Sequence, residues 1–283
     1  MKQIVWQALA QIFFDPRFYF AVGAVLLLER LIPAKPSQKI LSRGLVQDTA
    51  WLCLQTFWRV TLVAGYVALL QSFYREHLSF LTIHRMLDLR RPVRYLIWFL
   101  VTDLLEYFHH WLRHKVPWFW HFHEVHHSQR ELNLFTDLRY HPVEYLISKT
   151  VTVFPLLILS SELYDIVFIA IANQWFTRLI HANLRTDFGP LRYVLVTPQS
   201  HRIHHSIEPR HYDQNYGVTL SVWDRIFGTQ YNKYDEYPDT GIPDKEFPVE
   251  QNTGLWGILW TPVRQHMYPF QAILRRKKAE SDA

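Results

Sequence analysis

The chain has 283 residues, a net charge of +5, a single cysteine and an aromatic load of 11 Trp, 15 Tyr and 19 Phe. One cysteine excludes a disulfide framework, a cysteine-based zinc site and a cysteine-ligated iron–sulfur cluster within the chain. A mean hydropathy of −0.08 beside 49% hydrophobic residues predicts apolar helices joined to a polar portion, in which most of the 16 histidines fall.

In chain order, Gln3–Phe14 is a candidate embedded helix. Residues 17–33 run apolar into Glu29-Arg30 and Pro33, without the small-residue cleavage site of a secretory leader. Further apolar runs cover 48–72, 93–108, 145–160 and 165–181. A bilayer core needs about 20 apolar residues in a helix, so 48–72 is long enough, and 17–33 and 93–108 are near the limit. The last two runs flank Ser160–Asp165, which reads as a hairpin tip. Helices are expected because a single span satisfies its own backbone only in that form. The sum is roughly three to six spans, with orientation open. Trp51, Trp58, Trp98, Trp118, Trp120 and Trp175 fit an interfacial belt, and Cys53 fits a small buried hydrophobe. From Ala182 onward the sequence is mixed and turn-rich. It ends near Arg275-Arg276-Lys277-Lys278, read as an anionic-lipid contact or a solvated tail rather than a nucleic-acid site. The fold expected is all-α: a polytopic helical membrane protein with a histidine-rich helical cap outside the bilayer. Residues 1–92 hold N-terminal membrane helices, 93–231 the histidine-bearing domain, and 232–283 a polar tail.

The third apolar run continues polar as Asp103-x3-Tyr107-x2-His110-x3-His114, and Pro117 stops it. On a helix His110 and His114 share a face. Next comes His123-x2-His126-His127, and the same pattern returns far downstream as His201-x2-His204-His205. If each triplet is helical, its first and last rings share a face and the middle ring is splayed aside. That arrangement suits ligands divided between two neighbouring metals better than one tetrahedral ion. Eight imidazoles exceed the three or four of a zinc site, and imidazole alone does not name the metal. The count and the membrane setting favour two iron ions, with zinc the rival. His77, His84, His211 and His266 lack this spacing and read as ordinary residues, and His109 and His121 break its register.

These motifs resemble the fatty acid hydroxylase/sterol desaturase superfamily over about Asp103 to Thr229, in HxxxH followed by two HxxHH boxes. They are accompanied by Arg139-Tyr140-His141-Pro142-Val143-Glu144, His181-Ala182-Asn183, Asn215-Tyr216-Gly217 and Trp223-Asp224-Arg225-Ile226-Phe227-Gly228-Thr229. The resemblance implies that 93–231 is a catalytic domain of a membrane di-iron oxygenase, using O2 and external electrons on a lipid or sterol. It implies the metal ligands His110, His114, His123, His126, His127, His201, His204 and His205. His181, at the end of the last apolar run, is a ninth candidate, and His141 a weaker one. Asp103, one heptad before His110, is expected to orient a histidine, since carboxylates commonly brace ligating imidazoles. Tyr107 is either an interfacial anchor or a site residue.

The function expected is hydroxylation of a lipid C–H bond, in a fatty acyl chain, sterol or ether lipid, with desaturation on the same site as the alternative. A zinc hydrolase is disfavoured because Glu124 and His127 form H-E-x-x-H only by overlapping the triplet. A non-catalytic metal-binding membrane protein would spread ionisable residues through the membrane midplane. The chain carries no haem domain, flavin-type GxGxxG or ferredoxin cysteines, so electrons are expected from a separate cytochrome b5, ferredoxin or reductase. A short chain ending Ser281-Asp282-Ala283, without an ER-retrieval signal, points to a bacterial inner membrane, with the ER membrane second and the cap cytosolic.

Overall fold

A computed structural model describes residues 16–249 and 254–281, so the expected helix over Gln3–Phe14 lies outside the described residues. All regular elements among the described residues are helical, and extended contacts are limited to isolated bridges such as Pro33 with Leu184. In chain order the helices are α1 (Pro16–Leu31), α2 (Arg43–Leu81), α3 (Arg91–Lys115), α4 (Pro117–His127), α5 (Pro142–Ile158), α6 (Leu163–His181), α7 (Pro198–His204), α8 (Val222–Ile226) and α9 (Leu255–Ser281). Of these, α2 is long and apolar enough by itself to cross a membrane. It contains a π-helical segment at Arg59–Val63 and another at Tyr74–Leu78. Wide turns of this kind need one extra residue per turn and often mark functional positions.

Local chemistry sets the boundaries. Pro117, Pro142 and Pro198 each occupy a first-turn position, where a missing N–H costs nothing. Thr197 and Ser200 cap α7 reciprocally, and Ser42 caps α2 through the Leu45 amide. The hairpin tip expected at 160–165 lies between α5 and α6, with Glu162 and Asp165 forming a capping box and Ser160 at a φ of 57°.

Two layers follow. One apolar cluster joins Leu70, Met86, Trp98, Val153, Leu156, Ile166 and Ile169 from α2, the 3-10 turn His84–Asp88, α3, α5 and α6. Exposed apolar residues surround it, among them Leu69, Leu96, Leu100, Phe168 and Ile171. The second cluster gathers Trp51, Val125, Leu138, Ile242, Phe247, Tyr268 and Ala272 beneath the histidine helix α4.

The C-terminal segment, expected as a polar tail, instead returns to this second cluster. Its helix α9 packs on α2 and α4. Trp51 donates to Gln265 Oε1 at 3.2 Å and stacks on His266 at 4.6 Å. The helix was illegible because Pro262 and Pro269 interrupt its pattern and Trp256, Trp260, Met267 and Leu274 face outward. Of the basic cluster only the Arg275 side chain is described, and the reading of Arg276-Lys277-Lys278 lies outside the described side chains. Cys53 is exposed, contrary to its expected burial, because it points away from the face of α2 that buries Trp51 and Gln55.

Candidate metal centre

Helical periodicity carries the histidines inward from four elements. His110 and His114 sit one turn apart on α3, where burial is heaviest toward the C-terminal half. Pro117 then reverses the chain, and α4 lies back on α3. His181 ends α6, and α7 packs against that end. The nine rings form two groups. His110, His114, His123, His127 and His204 make the first, and His126, His181, His201 and His205 the second, with the nitrogens of each within 4.8 Å of one another. The triplets are exchanged between groups. In the first triplet the outer rings join the five-ring group and His126 crosses to the other, while in the second the outer rings join the four-ring group and His204 crosses back. The groups abut, with His127 stacked on His205 at 4.3 Å.

The chemistry of the donors tests whether a cation fits. Nδ1 of His110 faces Tyr216 O at 2.8 Å, Nδ1 of His204 faces Gln214 O at 2.9 Å, and Nδ1 of His181 faces Thr177 O at 2.6 Å. Nδ1 of His123 faces Glu144 Oε1 at 2.8 Å. Each of these partners only accepts, which assigns the proton to Nδ1 and the lone pair to Nε2. His110 Nε2 nevertheless lies 3.1 Å from His123 Nε2, so two lone pairs confront each other. The second group closes through Nε2 contacts of 3.1, 2.9 and 3.1 Å along His126, His181, His201 and His205. His114 Nε2 and His204 Nε2 are buried without any hydrogen-bond partner. A cation between the nitrogens removes both the repulsion and the orphaned acceptors. At a metal–nitrogen length of about 2.1 Å, ligands at right angles put their nitrogens ~3.0 Å apart and tetrahedral ones ~3.4 Å. The contacts observed fall at that spacing, so the nitrogens would be close enough to share a cation.

Electrostatics point the same way. Burial, then the neighbouring rings, pushes His123, His126, His127, His201 and His205 well below the ordinary imidazole value. Burial lowers His204 to about 4. Neutral imidazole is the form that binds metal.

Several residues hold the rings without joining them. Glu144 is fully buried between His123 and Arg113 Nε, the latter at 3.1 Å. Sequence reasoning noted Glu144 in its motif but gave it no role. The available signal was an acidic residue just inside a helix that begins beside a histidine motif. Asp224 accepts from the amides of Tyr216 and Gly217 at 2.7 and 2.9 Å and so fixes the carbonyl facing His110. Gly217 is required there, since a Cβ would meet Asp224 Oδ2 at 2.7 Å.

Asp103 was expected to orient a histidine, and the structure does not bring it to one. It accepts from the amides of Thr219 and Leu220 at 3.0 and 3.1 Å and from Trp223 Nε1 at 2.9 Å. The heptad spacing that suggested His110 places Asp103 two turns lower, level with the 217–223 loop. Tyr107 lies behind the ring of Tyr216, with its hydroxyl 2.9 Å from Thr229 Oγ1. His141 caps α5 and faces His266 O at 3.1 Å, outside both groups. His77 and His84 are exposed. His211 is buried against Ser206 and Glu236, and His109 against Arg113 and Glu106.

Comparison with known proteins adds an independent line. The fatty acid hydroxylase family matches residues 95–229, which include all nine rings. The alkylglycerol monooxygenase of Xenopus tropicalis is 34% identical over 187 residues, covering 60% of this chain and 39% of that protein. An ornithine lipid hydroxylase of Rhizobium tropici is 32% identical over 132 residues, 47% of this chain and 40% of that one. A Delta(7)-sterol 5(6)-desaturase of Leptosphaeria maculans is 28% identical over 136 residues, 48% of this chain and 36% of its own. The matched regions thus span 40% or less of these relatives' lengths. No solved structure matches the chain.

Proposed function

We propose that this chain belongs, through residues 95–229, to the fatty acid hydroxylase/sterol desaturase superfamily, and that it is a membrane-bound, non-haem di-iron monooxygenase that hydroxylates a lipid C–H bond. The observation that carries the reading is the exchange of HxxHH rings between two abutting groups, which offers each of two ions its own imidazole set. His110, His114, His123, His127 and His204 would hold one iron, and His126, His181, His201 and His205 the other. When bound, the pair would supply activation of O2 and the oxidising power to break an unactivated C–H bond.

The chain's own residues set the conditions. Glu144 and the carbonyls of Tyr216, Gln214 and Thr177 keep each proton on Nδ1, so that Nε2 faces inward. Trp120, 5.0 Å from His114 and 5.3 Å from His127, and Tyr216, 5.2 Å from His114, cover the five-ring group with aromatic surface. Such a shell excludes water and preserves a strong oxidant for the substrate. The helices α1, α2, α3, α5 and α6 form a polytopic membrane part with α4, α7 and the 182–249 segment as a cytosolic cap, in a bacterial inner membrane. A separate cytochrome b5, ferredoxin or reductase supplies the electrons. Similarity to both lipid hydroxylases and a sterol desaturase keeps dehydrogenation as the branch alternative, decided by how the substrate carbon is held.

Cells with and without the gene, grown under heavy-isotope O2 and compared by lipid mass spectrometry, test this. A lipid carrying one labelled oxygen, and missing from the knockout, is expected. Label arriving from heavy-isotope water refutes the oxygenase reading, and a product two hydrogens lighter with no added oxygen moves the enzyme to the desaturase branch.

A further inference from the structure

Ionisable side chains inside apolar helices are expensive and call for a partner, and most of the charged layer beside the histidines has one. Arg113 is engaged by Glu106 at 3.4 Å and Glu144 at 3.1 Å. Arg178 is engaged by Asp137 at 3.6 Å. Glu106 also accepts from Ser148 at 2.9 Å. Two cations remain. Arg59 begins the π-helical segment of α2 and donates Nη1 to Gln174 Oε1 at 3.1 Å, while its Nε is buried without a hydrogen-bond partner. Lys149, one turn after Tyr145 on α5, makes no ion pair or hydrogen bond among the described residues. Arg59 and Lys149 flank the same ring, at 5.5 and 5.0 Å from the centre of Tyr145. Arg59 acts on Asp137 and Lys149 on Glu106 by charge, but those carboxylates are already engaged by Arg178 and Arg113, and among the described residues no close ion pair joins either to Arg59 or Lys149. Both cations are half-buried, so they remain open to a group arriving from the lipid side.

This pair is close to the rings. Gln55, one turn before Arg59, donates to the Tyr140 carbonyl. The Tyr140 ring lies 5.6 Å from that of Tyr145 and 6.1 Å from that of His126. A ligand held at Arg59 and Lys149 therefore has its remaining atoms within two aromatic rings of the four-ring group.

We propose that Arg59 on α2 and Lys149 on α5, beside Tyr145, form a subsite for the anionic group of a lipid, a phosphate or carboxylate, which sets the chain carbon presented to the metals. The inference rests on the lipid-hydroxylase reading above and adds the class of substrate: an anionic or zwitterionic lipid, oxidised close to its head group, in preference to a neutral glyceride or sterol. A phosphate between the two cations supplies the charge that the layer lacks, and charge-assisted hydrogen bonds are the strong ones in a dry setting. Arg59 stands at the start of a π-helical turn, an irregularity that often marks a functional position.

Binding to the full-length, iron-loaded protein in neutral detergent micelles tests the subsite without O2 or turnover. The probes are dioleoyl phosphatidate, dioleoylglycerol with the same chains, and inorganic phosphate as competitor. The wild type is expected to retain phosphatidate over diacylglycerol by about tenfold or more, as one charge-assisted contact supplies. The double variant Arg59→Gln/Lys149→Gln, with its iron content unchanged, should lose that preference, and Arg59→Lys should keep most of it. Equal retention of the two lipids by the wild type overturns the proposal whether or not the variants fold. So does a preference that survives in the double variant. Displacement of phosphatidate by inorganic phosphate at equal concentration assigns a free-anion site and overturns the lipid part. Because binding is read apart from product formation, loss of the subsite leaves hydroxylation standing, and absence of labelled product leaves the binding result intact.

Discussion

Replacing Glu144 tests the link between the buried charge layer and the metal centre. Its Oε1 receives the Nδ1 proton of His123 at 2.8 Å, and the same carboxylate neutralises Arg113 at 3.1 Å in a fully buried setting. Glu144→Gln keeps an acceptor for His123 but removes the charge, and the loss of such a bracing carboxylate costs on the order of 10–100-fold in metal affinity or activity, about 1.4–2.7 kcal/mol. Glu144→Ala removes the acceptor as well and leaves Arg113 with Glu106, at 3.4 Å, as its remaining carboxylate partner. Breaking a buried pair in that way costs roughly 3–5 kcal/mol of stability. Anaerobic iron titration of the apo-protein, with melting temperature in detergent as the second reading, separates the two effects. Glu144→Gln should weaken binding of one iron with little change in melting, while Glu144→Ala should lower both. Wild-type iron affinity in both variants would refute the claim that Glu144 holds His123 as a ligand.

The exchange of rings predicts that His201→Ala removes mainly the metal of the four-ring group and His204→Ala mainly that of the five-ring group, read as metal lost per chain, whereas His77→Ala changes neither metal nor activity. Asp103→Ala should free two amides and the Trp223 indole, lowering stability by roughly 1–3 kcal/mol and loosening the loop that carries the Tyr216 carbonyl; unchanged melting would remove Asp103 from that role. Burial raises Asp224 from 3.8 to about 6, so the folded state keeps a proton that the unfolded chain has lost between those values. Wild-type stability relative to Asp224→Asn should therefore decline by ~2 kcal/mol as pH rises from 4 to 6 and level off about one pH unit higher. Melting temperatures across that range check it, and an advantage that grows with pH contradicts it.

Much of the site was legible because helical periodicity acts locally. Spacings of three and four residues decide which rings share a face, so the splay of His126 and of His204 could be read from two HxxHH strings. What the spacing cannot give is the partner across the fold. Asp103 has the right period for His110, but its carboxylate answers amides 116 and 117 residues away. Glu144 has no period relating it to His123, and meets it only because α5 packs beside α4 and α3. The helix α9 was hidden for a related reason, since its packing face is set by Trp51 and Val125, far upstream.

The central claim is that two metal ions sit side by side in one chain, each within its own histidine set. Elemental analysis of protein purified anaerobically after iron-replete expression tests it most directly. The account predicts about two iron atoms per chain, falling to about one in His201→Ala. One zinc per chain and no iron would contradict it.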